Sequence, residues 1–166
     1  MATALVNTKT AKDRRELRYG SIADLRRDID RLAEADRAGT LRRCGNWTLG
    51  QALGHLSAWL DFAYEGFPVR PPRVVGWILR LRRGKYLREG LPAGVRIPGI
   101  EGGTLGTEPR TLDEGLGLLR ASLDRLERSD PAHPSPLFGP MTREECVEAT
   151  LRHAELHLSF FHPERE

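Results

Sequence analysis

The chain has 166 residues, 39% of them hydrophobic and 30% charged, with a formal net charge of +3. That length suits one domain with its own core, and two cysteines, Cys44 and Cys146, are too few for a disulfide framework and are not spaced as a zinc ribbon. No run of about 18 apolar residues occurs, and the polar opening arm Met1–Arg18 lacks an apolar core and a cleavage site, so a cytoplasmic protein without a membrane-spanning helix is expected.

The first helical segment is predicted to open at Ser21, with Asp24 three residues on. It puts Ile22, Leu25, Ile29 and Leu32 on one face and runs to about Ala38, where Gly39 stops it. The second starts near Thr48, with Gln51 at the boxed position. Its stripe is Leu49, Ala52, Leu53, Leu56, Leu60 and Ala63, and Gly66 and Pro68 follow. A long crossover, residues 67–110, comes next, with one short amphipathic helix over Arg73–Arg83 carrying Val74, Val75, Trp77, Ile78 and Leu81. Its Gly- and Pro-rich remainder, Gly90–Pro109, reads as irregular, and connections of such length are commonly lids or binding loops, here a cover over one end of the fold. Seven cations, Arg70, Arg73, Arg80, Arg82, Arg83, Lys85 and Arg88, fall between Phe67 and Gly90 against Glu89 alone. A solvated surface face explains most clusters of that kind, and contact with an anion or a membrane surface is the functional alternative.

The third segment opens at Thr111, with Glu114 boxed, and buries Leu112, Leu116, Leu119, Leu123 and Leu126. Gly115 and Gly117 inside it each cost about 1 kcal/mol relative to alanine. An irregular stretch, Ser129–Pro140, holds His133, and the fourth segment runs from Thr142, with Glu145 boxed, to Phe161 ahead of Pro163. No alternating runs call for strands. The prediction is an all-α domain over 1–166, most simply a four-helix bundle with a long crossover between its second and third helices.

His153 and His157 stand four apart on the last segment, in the stripe of Cys146, Ala149, Thr150, Leu156 and Phe160, so both imidazoles should face inward. His55 lies at the edge of the second segment's apolar face, about 10 Å from its start, and the pair lies about 12 and 6 Å from the end of the last. Antiparallel packing of those two helices would bring the three to one level. A three-histidine metal site keeps at least one position open for water or substrate, which implies chemistry. The bland alternative is a set of buried histidines satisfied by neighbouring carbonyls or carboxylates. Gln51 and Thr150, each one turn from these histidines, are candidates to orient them. Trp47 and Trp59 are candidate pocket walls, and capping or core packing is the simpler role for all four.

Other chemistries fit less well. His153-Ala154-Glu155-Leu156-His157 is not H-E-x-x-H, because Glu155 points away from the ligand face. Cys146 lies about 10 Å from His153 along the helix, too far to share a metal, and reads as a small core residue. No Walker-type loop or distinctive carboxylate pair is present. His133 and His162 read as surface residues beside prolines.

The block Gly45-Asn46-Trp47-Thr48-Leu49-Gly50-Gln51-Ala52-Leu53-Gly54-His55-Leu56 resembles the second-helix motif of the DinB/YfiT-like superfamily, and Arg152-His153-Ala154-Glu155-Leu156-His157-Leu158 resembles its fourth-helix H-x-x-x-H. With Arg14-Arg15-Glu16-Leu17-Arg18-Tyr19 and the long crossover, the likeness is to a bacterial subfamily of unknown function, covers most of 14–162 and is weakest in 67–110. The resemblance implies a four-helix bundle with zinc or nickel on His55, His153 and His157. It also implies relatives that transfer or isomerise with bacillithiol, mycothiol or glutathione, although no thiol-binding signature is matched here.

The leading expectation is thus a metal-dependent transferase or hydrolase acting on a small molecule, with Arg80, Arg82, Arg83 and Lys85 as candidate binders of an acidic thiol or other anion. The rival is a non-catalytic module whose basic crossover helix docks nucleic acid, anionic lipid or a protein. Nucleic acid is the weaker of these, because the cations are not interleaved with stacking aromatics. A homodimer is also compatible with so small a domain, although no seam is evident.

Overall fold

The computed structural model describes residues 6–69, 73–97, 100–135 and 137–163, so Arg70 of the cation cluster lies outside the described residues. The element order is α1 (Ile22–Ala38), β1 (Leu41–Arg43), α2 (Leu49–Glu65), α3 (Arg73–Leu81), α4 (Arg83–Glu89), α5 (Leu112–Arg128), α6 (Arg143–Leu158) and β2 (Phe161–Pro163), with a short 3-10 turn at Glu101–Gly103. The protein is mostly helical, with a minor two-stranded sheet. No described helix is long and apolar enough to cross a membrane.

The four long helices begin where their caps predict. Ser21, Thr48, Thr111 and Thr142 each accept a hydrogen bond from a backbone N–H three residues on, and the Glu114 and Glu145 carboxylates accept one from the backbone N–H of Thr111 and Thr142, which completes capping boxes. Gly39, at φ 72°, closes α1. Leu25, Leu32, Leu53, Leu123, Leu126 and Leu158 from these helices are fully buried in one core. The closest approach within it is between α2 and α5. A Cβ at Gly50 would lie 2.3 Å from the Thr111 carbonyl oxygen, and one at Gly115 would lie 2.4 Å from the Gly50 oxygen. Gly115 therefore offsets its poor helix propensity with backbone contact, whereas Gly117 faces open space and nothing in the structure explains it.

Three expectations need correction. The last helix ends at Leu158, not Phe161, and its final carbonyls are taken by the N-terminal arm. The Arg14 guanidinium donates to the Leu156 oxygen at 3.1 Å, the Arg15 guanidinium to the Leu158 oxygen at 3.2 Å, and the Arg15 backbone N–H to the Ser159 oxygen at 2.8 Å. With those acceptors satisfied from outside, the chain turns away and Phe161–Pro163 pairs antiparallel with Leu41–Arg43, strands that no alternating pattern announced. Among its described residues the crossover holds two α-helices rather than one, because Arg82 leaves helical geometry at φ −95°, ψ 1° and Arg83 is drawn to Glu145 at 2.7 Å and to the Pro140 oxygen at 2.7 Å.

The start of α1 and the arm are tied to α6 by a buried polar cluster. Asp28 accepts from Arg15 at 2.7 and 2.9 Å and from the Tyr19 hydroxyl at 2.6 Å. Glu155 accepts from the Tyr19 backbone N–H at 2.6 Å and pairs with Arg152 at 2.8 Å. Glu155 is thereby turned away from the histidine face, as its place in the sequence predicts.

Candidate metal centre

His55 stands two turns into α2 and is 1% exposed; His153 and His157 stand on the last two turns of α6 and are half-buried. The three side chains meet. His153 Nε2 lies 3.2 Å from His55 Nε2 and 3.1 Å from His157 Nε2, and one ligand atom from each histidine falls within 4.8 Å of the others. Nitrogens bound to a tetrahedral ion at about 2.0–2.1 Å are separated by about 3.3 Å, so these spacings suit a single ion.

The protonation pattern agrees. His55 Nδ1 sits 2.7 Å from the Leu105 carbonyl oxygen, which can only accept, so the proton is on Nδ1 and Nε2 presents a lone pair to the centre. Burial drives the His55 imidazole down to about 4, against backbone hydrogen bonds at Leu105 and Gly106 that favour its charged form. Burial, reinforced by the neighbouring imidazoles, also holds His153 and His157 well below the usual range, with Arg14 adding to the effect on His157. Three neutral imidazoles at pH 7 are the form a metal requires. Without an ion, His153 Nε2 would face two nitrogens at hydrogen-bond distance with at most one proton to offer.

The Leu105 carbonyl is placed by α2 itself. Gln51, His55 and Trp59, spaced four apart, form a row along which residues 105–107 lie. Gln51 Nε2 donates to the Thr107 oxygen at 2.7 Å, and Trp59 Nε1 donates to the Leu105 oxygen at 3.2 Å. Gly106, at φ 69°, permits this approach, since a Cβ there would lie 2.7 Å from the Ala58 Cβ. Gln51 thus touches the loop that holds His55 and not the imidazole. Thr150 donates to the Cys146 carbonyl one turn back at 2.8 Å and makes no hydrogen bond to the triad among the described residues. Trp47 stacks on His157, with centroids 5.1 Å apart and planes at 12°, and Trp59 stands 5.5 Å from His153 and 5.9 Å from His55.

The imidazoles open on a cavity of about 840 Å³, walled by both indoles and by crossover residues including Leu79, Tyr86, Leu91 and Val95. No aspartate or glutamate lines it among the described residues. Among the described residues, the cations on its wall are Lys9 and Arg96. Arg80, Arg82, Arg83 and Lys85 do not line it, and Lys85 pairs with Glu89 at 3.6 Å. Cys146 lines it as a buried thiol pushed up to about 11 by burial, so it is protonated at pH 7. His133 lines its rim from an exposed loop, and His162 faces the Asp13 carbonyl at 3.1 Å; neither joins the triad. The Leu105 carbonyl, Gly106 and Arg14 were not legible as site components: a backbone oxygen has no residue signature, and Gly106 was one glycine among many in an irregular stretch.

The family model for DUF1569, a protein of unknown function, matches residues 11–164, nearly the whole chain and both histidine-bearing helices. The chain belongs to this family. No match was found among curated proteins or among solved structures. The triad of this DUF1569 chain, with a carbonyl-fixed tautomer and an adjoining cavity, can hold a metal ion.

Proposed function

We propose that this DUF1569 protein is a divalent-metal enzyme of DinB-like four-helix-bundle type, in which His55, His153 and His157 hold one Zn²⁺ or Ni²⁺ and the adjoining cavity takes a small molecule. The observation that carries the reading is the convergence of three Nε2 atoms, with the His55 lone pair directed by the Leu105 carbonyl. When bound, the ion would supply a Lewis acid with an open position, able to lower the pKa of a thiol or a water molecule.

The chain's own residues do the rest. Trp47 and Trp59 fix the imidazole planes and keep bulk water from their faces, which strengthens electrostatic interactions inside the site. Crossover residues wall one side of an apolar cavity that would take the substrate, and Lys9 and Arg96 are available to an anionic substituent. The site suits either of two reactions on a small molecule: S-transfer, with a low-molecular-weight thiol as cosubstrate, or hydrolysis, since a three-histidine centre would lower the pKa of water to about 7 without a carboxylate base.

Metal stoichiometry tests the reading: elemental mass spectrometry of tag-free protein prepared without chelator, beside His55→Ala and the double variant His153→Ala/His157→Ala. About one zinc or nickel per chain, lost in both variants while they remain folded, is the expected result. An absence of metal after reconstitution would overturn it.

A further inference from the structure

The strongest feature outside the metal centre is the outer face of α3. Val74, Trp77, Ile78 and Leu81 are 67, 65, 44 and 69% exposed, at i, i+3, i+4 and i+7. At 3.6 residues per turn they share an arc of about 100°, the apolar stripe of an amphipathic helix, here turned toward solvent. The opposite side faces the protein, where Gly76 is buried and Leu79 lines the cavity. Arg80 borders the stripe on one side, and Arg82, just past the helix end, on the other. Both are exposed, and neither pairs with a carboxylate among the described residues. Between Glu65 and Glu89 the chain has no acidic residue.

We propose that α3 is an interfacial helix that docks this protein on an anionic lipid surface. Val74, Trp77, Ile78 and Leu81 enter the boundary between headgroups and acyl chains, and Arg80 and Arg82 meet lipid phosphates. A second copy of the chain would bring the same cations against each other, and nucleic acid would leave the apolar stripe in water. An anionic bilayer satisfies both halves of the surface at once. The indole within a stripe bordered by arginines is the pattern that interfacial helices share. Because Leu79 of the same helix lines the cavity, docking would set the wall of the site against the membrane.

Flotation of the full-length protein with vesicles tests this, using phosphatidylcholine alone and phosphatidylcholine with about 30 mol% phosphatidylglycerol, a charge density that attracts basic segments. The protein should float with the anionic vesicles and be released by high salt. Replacing both bordering arginines, Arg80→Gln/Arg82→Gln, should weaken binding about 25-fold, at roughly fivefold per charge. Trp77→Glu and Leu81→Glu, both at exposed positions and so expected to keep the wild-type Tm, should abolish it. The histidine variants should float like the wild type, which separates this inference from the metal reading. Failure to float at low salt would overturn it. So would undiminished flotation of Trp77→Glu, or a Trp77-dependent dimer or protein complex without vesicle binding.

Discussion

Replacing Gly106 by alanine should weaken metal binding at the proposed site without touching a histidine of the triad. Gly106 has φ 69°, where an alanine costs about 1–2 kcal/mol because its Cβ crowds the following carbonyl. Its methyl would also lie 2.7 Å from the Ala58 Cβ, whereas carbon atoms rest about 3.5–4.0 Å apart. Ala58 is built into α2 and cannot yield, so the loop retreats by about 1 Å. That displacement stretches the 2.7 Å contact between His55 Nδ1 and the Leu105 oxygen beyond hydrogen-bonding range. His55 is then free to rotate or to change tautomer, and loss of such a partner typically lowers metal affinity 10–100-fold, on the order of 1.4–2.7 kcal/mol. Gly39→Ala is the control. Gly39 has φ 72° but nothing within 4 Å of a Cβ, so the variant carries the backbone cost at a site remote from the triad. Competition for Zn²⁺ against a chromophoric chelator gives the Kd of each protein. An unchanged Kd for Gly106→Ala, or an equal loss in Gly39→Ala, would refute the argument that the Leu105 carbonyl positions His55.

The two candidates for orienting the histidines should separate in the same assay: Gln51→Ala weakens zinc binding by loosening residues 105–107, and Thr150→Val leaves Kd within about twofold, since its hydroxyl donates to the Cys146 carbonyl and, among the described residues, to no histidine of the triad. Gly50→Ala should cost about 3 kcal/mol or more in urea unfolding, because its methyl meets the Thr111 backbone, while Gly117→Ala should gain about 1 kcal/mol. Asp28 governs part of the acid sensitivity. Burial raises its carboxyl, but hydrogen bonds from Arg15 and Tyr19, the Arg15 charge and Arg31 outweigh that and hold it below 3.8. A depressed folded-state pKa contributes stability above the unfolded value, and this is lost as pH falls through the lower folded one. Urea midpoints measured from pH 5 to pH 2 should therefore fall more steeply for the wild type than for Asp28→Asn.

The sequence by itself determined the four long helices, because caps and apolar period are local properties. Ser21, Thr48, Thr111 and Thr142 each satisfy backbone donors within three residues, whatever the rest of the chain does. It also determined that His153 and His157 share a helix face, a matter of 3.6-residue spacing. Tertiary structure decided what depends on distant segments. The end of α6 at Leu158 follows from arginines about 140 positions earlier, and the three-residue strands exist only because they pair with each other. The amphipathic pattern of α3 was plain, yet amphipathicity cannot say whether the apolar side meets the core or solvent; packing of Gly76 and Leu79 decided that. Likewise, the histidine pair and His55 as its candidate partner can be read from spacing and helix level, but that the His55 imidazole meets the pair, and that the Leu105 carbonyl orients it, come from contacts 98 and 50 positions apart, which no local pattern encodes.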